Sequence, residues 1–202
     1  VSKSFEIEHP GLSESGNHTV VCRLLTVDGV EDPYEANNTA SGTIGIVGRF
    51  PFYRMVVEKG TGTWCQYCPR GIWGFEKMME KYPDNFVGIA VHKNEDTYGR
   101  YGLECSSYNA LTFSSYPSAY VNRNPRMNVS PIPAVLEAAY QATCGDLRLG
   151  EVNVKSELVN SNTINATATT TFVSDINNAD YSISFVLTED NVSGYYQSNG
   201  CK

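Results

Sequence analysis

No run of this sequence approaches the roughly 20 apolar residues that a membrane-spanning helix needs, and the first residues, Val1-Ser2-Lys3-Ser4, lack the apolar core of a signal peptide. The chain does not begin with Met and starts inside a strand-like run, so a mature or trimmed product whose export signal has been removed is expected. Positive charge is scarce. In 202 residues, 15 basic side chains face 22 acidic ones, for a formal net charge of -7 without a long run of either sign. That balance lacks the basic footprint by which nucleic acid or an anionic membrane surface is bound, so neither is expected as a partner. Histidine is rare as well, at 3 residues, and only one pair of cysteines is close in sequence. A zinc site built on that pair would need its remaining ligands from scattered His92, Cys105 and Cys144, so no metal is expected.

Six cysteines are present: Cys22, Cys65, Cys68, Cys105, Cys144 and Cys201. They are too few for a disulfide-built mini-scaffold and more than an average cytosolic domain of this size carries. Abundant Asn, Ser, Thr and Tyr with only 18% charged residues is similar to the make-up of exported bacterial surface proteins. An oxidising compartment follows as the expectation.

Along the chain the periodicity changes twice. Ser4 to Glu8, His18 to Val27 and Ala40 to Val47 are strand-like runs separated by Pro10-Gly11, Asp28-Gly29 and Asn37-Asn38, as in a β-sandwich edge. Val20, Cys22 and Leu24 share one face, which predicts a buried Cys22. Gly48-Arg49-Phe50-Pro51 follows as a linker. From Phe52 come a strand to about Glu58, a Gly/Thr loop, the cysteine pair, a helix to about Lys81 and a second apolar strand from Phe86 to His92. Strand, helix and strand with a short return make a parallel βαβ unit, which places function at the carboxyl ends of its strands.

A helix over Tyr101 to Phe113, a strand over Tyr116 to Val121, and a helix from Pro131 to about Thr143 capped by Ser130 complete an α/β region. After Gly145 the period becomes two, at Val152 and Val154, at Ile164, Ala166 and Ala168, and at Tyr181, Ile183, Phe185 and Leu187. The chain therefore divides into a β-sandwich segment over 1–48, an α/β domain over 49–145 and a second β-sandwich segment over 146–202.

Chemistry concentrates at Trp64-Cys65-Gln66-Tyr67-Cys68-Pro69, which opens a helical pattern at Ile72, Phe75, Met79 and Tyr82. Two thiols separated by two residues can close a small disulfide loop. Unpaired amide N–H groups at a helix start favour the thiolate of the first cysteine over that of one a turn inside, so Cys65 is the better nucleophile. Gly71 and Gly74 lie on this helix at a cost of about 1 kcal/mol each against Ala, which predicts close backbone packing or a bend after Pro69.

Trp64-Cys65-x-x-Cys68 after a first strand, the βαβ return and Tyr116-Pro117 together resemble the thioredoxin superfamily. More narrowly, Gly62 to Gly71, Gly88 to His92 and Pro117 to Arg123 are similar to the thioredoxin-like outer-membrane lipoproteins of Bacteroidetes, which combine a redox-type fold with immunoglobulin-like β-sandwich segments. The resemblance implies that Cys65 attacks a partner disulfide and Cys68 resolves the mixed disulfide. It implies that Trp64 shields the pair, that Pro117 is a cis-proline facing it, and that the backbone of Tyr116 pairs with an extended substrate. Thioredoxins carry a buried acid on the first strand; by counting, its place is taken by Lys59, unless a bulge brings Glu58 round. Glu58, Lys59 and His92 are accordingly candidate modulators, with His92 either a hydrogen-bonded strand-end residue or a general base.

The resulting expectation is an extracytoplasmic thiol–disulfide oxidoreductase. It acts on protein thiols or disulfides of the cell envelope, needs no cofactor and is lipid-anchored in its full-length precursor. The rival is a surface binding or assembly module in which Cys65 and Cys68 form a permanent structural bridge. Cys105 and Cys144 are read as buried small residues, a stabilising disulfide or a third redox thiol. The aromatic residues Tyr98, Tyr101, Tyr108, Tyr116 and Tyr120 are packing and rim residues or the lining of a cleft.

Overall fold

A computed structural model of the protein describes residues 6, 8, 11–98, 103–174, 180–190, 192 and 194–198. In chain order the strands and helices are β1 (Gly16–Arg23), β2 (Thr26–Val27), β3 (Val30–Glu31), β4 (Thr39–Ile46), β5 (Met55–Thr61), α1 (Pro69–Lys81), β6 (Phe86–His92), β7 (Ser118–Val121), β8 (Asn128–Val129), α2 (Pro133–Thr143), β9 (Gly150–Asn160) and β10 (Thr163–Phe172). They fall into two units, Val1–Phe52 with Leu147–Ile183, and Tyr53–Asp146 with Ser184–Lys202.

The first unit is built of antiparallel ribbons. β1 pairs with β4 from Gly16↔Ile46 to Arg23↔Thr39, and β9 with β10 over their whole lengths. The expected His18 to Val27 strand ends at Arg23, one residue before Leu24, whose N–H still donates to the Asn38 carbonyl at 2.8 Å in the same register. The chain then enters the short β2–β3 hairpin. Its turn residues Asp28 and Gly29 have φ of 52° and 82°, the left-handed pair that a tight two-residue hairpin requires.

Two expectations change in the β-segments. Cys22 is exposed rather than buried, since β1 has β4 as its sheet partner and no second layer among the described residues covers that face. Most of the run Ser4 to Glu8 lies outside the described residues. Residues 180–190 form no strand, and Tyr181, Ile183, Phe185 and Leu187 are all exposed. Alternation buries one face only where a partner strand is present, and the described residues provide none for this run.

In the second unit a four-stranded sheet has the order β6-β5-β7-β8. β5 runs parallel to β6 and antiparallel to β7, which is antiparallel to β8. Pairing on both sides extends β5 through Lys59, Gly60 and Thr61, further than local propensity predicts, because two neighbouring ladders satisfy its backbone. Met55 and Val57 on β5 join Phe75 and Met78 of α1, Phe86, Ala119, Val121, and Leu136 and Ala139 of α2 in one core.

The buried stripe of α1 is Gly71, Gly74, Phe75 and Met78, so the helix is rotated relative to the expected Ile72, Phe75, Met79 and Tyr82 face. Ile72 and Met79 are exposed. The two glycines cause this rotation. A Cβ at Gly74 would lie 1.9 Å from the Pro131 carbonyl oxygen, and one at Gly71 would lie 2.7 Å from Lys59 Cδ. Only that face can approach so closely.

Two local expectations are also corrected. Over 103–113 the chain makes only a single 3-10 turn, Ser106–Tyr108, where Ser and Asn side chains compete with helical hydrogen bonding; residues 101 and 102 lie outside the described residues. α2 starts at Pro133 with Ile132 as N-cap, and no side chain caps it. Pro133 presets the helical φ while its missing N–H removes one orphan donor, so Ser130 is not used as a cap.

Candidate functional site

Cys65 and Cys68 form a disulfide with their Cα atoms 5.4 Å apart. Cys68 is the N-cap of α1 and Pro69 its first residue, so the bridge sits where the helix dipole and its first amides face outward. The carbonyl of Cys68 accepts from the N–H of Gly71 at 2.9 Å, which fixes Cys68 at the first helical turn. Both sulfur-bearing residues are buried, Cys65 at 4% exposure and Cys68 at 0%.

A four-residue turn delivers Cys65 from the end of β5. The Cys65 N–H donates to the Gly62 carbonyl at 3.0 Å, leaving Thr63 and Trp64 as the central residues. Each is tied to the segment that follows β6. The Thr63 N–H donates to Glu95 at 2.7 Å, its hydroxyl donates to the other Glu95 oxygen, and the Trp64 indole N–H donates to the Lys93 carbonyl at 2.7 Å. Lys93 N–H in turn donates to Thr61 O at 3.0 Å. The carboxyl ends of two parallel strands are thus stitched together around the turn that carries Cys65. From the chain's far end, Ser198 donates its N–H to the Thr63 carbonyl at 2.7 Å.

The Tyr116–Pro117 peptide is cis. Ser118, the next residue, pairs with Gly60 across the sheet, and Pro117 Cβ lies 3.5 Å from where a Cβ of Gly71 would be. Pro117 therefore rests against the first turn of α1. The Trp64 and Tyr116 rings meet edge to face at a centroid distance of 5.1 Å, and Phe113 sits 6.0 Å from Tyr116 and 5.6 Å from Tyr120. These half-buried rings form an aromatic ledge that begins at Trp64, the residue before Cys65. Burial, and secondarily the negative charge of Glu104, raise the pKa of the Tyr116 phenol, so it is a neutral hydroxyl at physiological pH.

β5 carries its two charged residues to opposite faces. The ladders with β6 and β7 run through Glu58 and Lys59 without a bulge, so Glu58 stays on the face away from α1. There the Arg123 guanidinium grips it in a fork, with Nη2 at 2.7 Å and Nε at 2.8 Å. The hydrogen bonds to Glu58 raise the Arg123 pKa further. Lys59 faces α1 at 2% exposure, its stem against Gly71 and its ammonium 4.8 Å from the Phe75 ring centroid. Burial lowers its pKa to about 8, partly offset by the negative charge of Glu76. A buried lysine thus occupies the sheet position beneath α1.

His92 ends β6 opposite Thr61 and its Nδ1 lies 2.6 Å from Glu95. The site therefore brings together Trp64, Cys65, Cys68, Tyr116 and Pro117, with Lys59 behind the helix and His92 attached through Glu95 and Thr63; Glu58 lies on the other face of β5. Cys105 is exposed and outside any disulfide, so it is not joined to Cys144. Cys144 closes α2, its thiol directed to the Gln141 carbonyl at 3.5 Å. Among the described residues no group of three His, Cys, Asp or Glu side chains is placed to hold a metal. Cys201 and Tyr101 lie outside the described residues.

Glu95, Thr63 and Phe113 were not legible as site residues. Glu95 stands in the polar run Lys93-Asn94-Glu95-Asp96, which has the appearance of a solvated loop. Its one signal was position, three residues beyond the end of the second parallel strand, where βαβ units carry their function.

No family model and no curated protein matches the sequence. Among solved structures, similarity extends to HBP35 of the Bacteroidetes species Porphyromonas gingivalis, at 24% identity and a TM-score of 0.39, over 52% of this chain and 37% of that one. A structural-genomics protein from Agrobacterium tumefaciens is similar at 22% identity and a TM-score of 0.34, over 53% of this chain and 52% of that one. The matches thus span about a third to a half of those chains.

Proposed function

We propose that the Tyr53–Asp146 region is a thioredoxin-like domain, carried between immunoglobulin-like β-segments of an exported envelope protein, and that it exchanges disulfides with protein thiols. The observation that carries this reading is the placement of the Cys65–Cys68 disulfide at the N-terminus of α1, directly after a parallel strand, with cis Pro117 against the same helical turn. In the reducing direction the Cys65 thiolate attacks one sulfur of a partner disulfide, forming a mixed disulfide and releasing the partner's first thiolate. The Cys68 thiolate then attacks the Cys65 sulfur, closing the internal disulfide and releasing the second thiolate, so that two electrons pass to the partner. The opposite direction uses the same steps reversed. The Trp64–Tyr116–Phe113 ledge would receive an apolar side chain of the partner segment.

A Cys68→Ser variant tests this reading. Expressed in the envelope of its own cell, it is expected to accumulate mixed disulfides through Cys65 that reducing agent dissolves and that a Cys65→Ser, Cys68→Ser double variant lacks. Absence of any trapped partner, together with no insulin reduction by the wild-type protein, would defeat it.

The burial of both cysteines favours a second reading, a permanent bridge in a binding or assembly module. A reduction potential below about -300 mV would decide for that alternative.

A further inference from the structure

Between the ends of β5 and β6 lies an ionisable group that the exchange steps do not themselves use. Glu95 is fully buried, at 0% exposure. Its carboxylate accepts from the Thr63 N–H and hydroxyl and lies 2.6 Å from His92 Nδ1, so three polar groups converge on its two oxygens. Thr63 is a central residue of the turn closed by Cys65 N–H on Gly62 O. The other central residue, Trp64, is held from the same segment through Lys93.

From these contacts we infer that Glu95 is the positioning residue of the Cys65–Cys68 pair: it fixes the turn that presents Cys65, and its buried negative charge opposes thiolate formation there. This inference rests on the exchange reading. Reduction of the pair takes up two electrons and one proton and yields one thiolate and one thiol; a second proton converts the thiolate to a thiol. A nearby buried negative charge raises the free energy of that thiolate, because a low-dielectric surrounding screens it poorly. The effect biases the pair toward donating electrons. It is the reverse of what a helix start does alone, and it comes from a residue 30 positions beyond Cys65 in the chain.

The charge and the tether can be separated. Glu95→Gln keeps the side-chain length and an oxygen for the Thr63 N–H while removing the charge. In glutathione buffers at neutral pH its pair is expected to be reduced about tenfold more readily than the wild-type pair, a potential about 30 mV higher. With Cys68→Ser added, the ultraviolet absorbance of the Cys65 thiolate should appear at lower pH than with Glu95 intact. A purely structural tether would slow exchange and leave both readings where they were, and that result would overturn the inference. Should Glu95→Gln fail to fold, His92→Leu carries the test with the opposite sign. Stripping the imidazole from the carboxylate should make the pair a few-fold harder to reduce, and an unchanged or easier reduction would overturn the inference equally. A wild-type pair that equilibrates with glutathione but reduces no insulin, with no partner trapped by Cys68→Ser, defeats the exchange reading alone. A Glu95→Gln pair equal to wild type defeats the positioning role alone.

Discussion

Replacing Lys59 with Met should make the protein more stable at neutral pH, although it deletes a residue packed beneath α1. Lys59 is 2% exposed, with its stem between Gly71 and β5 and its ammonium over Phe75. Burial lowers its pKa from 10.5 to about 8. At about 1.4 kcal/mol per tenfold change in proton affinity, that gap corresponds to about 3 kcal/mol of burial cost carried by the ammonium in the folded state. Met keeps the unbranched shape and volume and has no charge to desolvate. Below pH 8 both folded and unfolded wild-type chains hold the proton, so the cost is fully present. Between pH 8 and 10.5 the unfolded chain binds more protons than the folded one, and wild-type stability rises with pH. Lys59→Met should therefore lead by about 3 kcal/mol at pH 7, a shift of roughly 1.5 M in urea midpoint at an m-value of about 2 kcal/mol/M. That lead should shrink through pH 8 to 10.5. Urea titrations of the oxidised proteins, followed by fluorescence of Trp64 and Trp73, measure it directly. A variant no more stable than wild type at pH 7, or a lead independent of pH, would refute the burial account.

Two further substitutions examine the packing around the site. Gly74→Ala forces a methyl group onto the Pro131 backbone carbonyl, which cannot swing aside as a side chain would. A loss of about 2–3 kcal/mol in thermal or urea unfolding is expected despite alanine's better helix propensity, and a neutral or stabilising result would contradict the close approach. Arg123→Met leaves the Glu58 carboxylate buried without its fork and should cost about 3 kcal/mol. Adding Glu58→Gln should recover part of that loss; simple additivity of the two would show that the pair does not interact.

Three decisions of the fold turned on partners distant in sequence. Along β5, alternation placed Glu58 and Lys59 on opposite faces, but which one met the helix depended on an unbroken register with both β6 and β7. In α1 the apolar residues suggested one stripe and the glycines selected another, because the Pro131 carbonyl approaches where no Cβ stands. Cys22 lay on an apolar face of β1, yet its exposure followed from which strands pair with β1 and what covers them.

Local chemistry was legible from the chain alone. The Cys-x-x-Cys spacing, the proline at the first helical position and the apolar strands on either side are short-range signals. They sufficed to place a disulfide at a helix start in a βαβ unit. What the sequence by itself determined was thus the Cys65–Cys68 pair at a helix start and its immediate scaffold. Tertiary structure alone decided the pair's surroundings: the carboxylate of Glu95 under Thr63, the buried ammonium of Lys59 behind Gly71, and the ring of Tyr116 against Trp64. The physical reason is range. Periodicity and turn chemistry act over a few residues, whereas the field and geometry at Cys65 come from groups that only the closure of the sheet brings within a few ångströms of its turn.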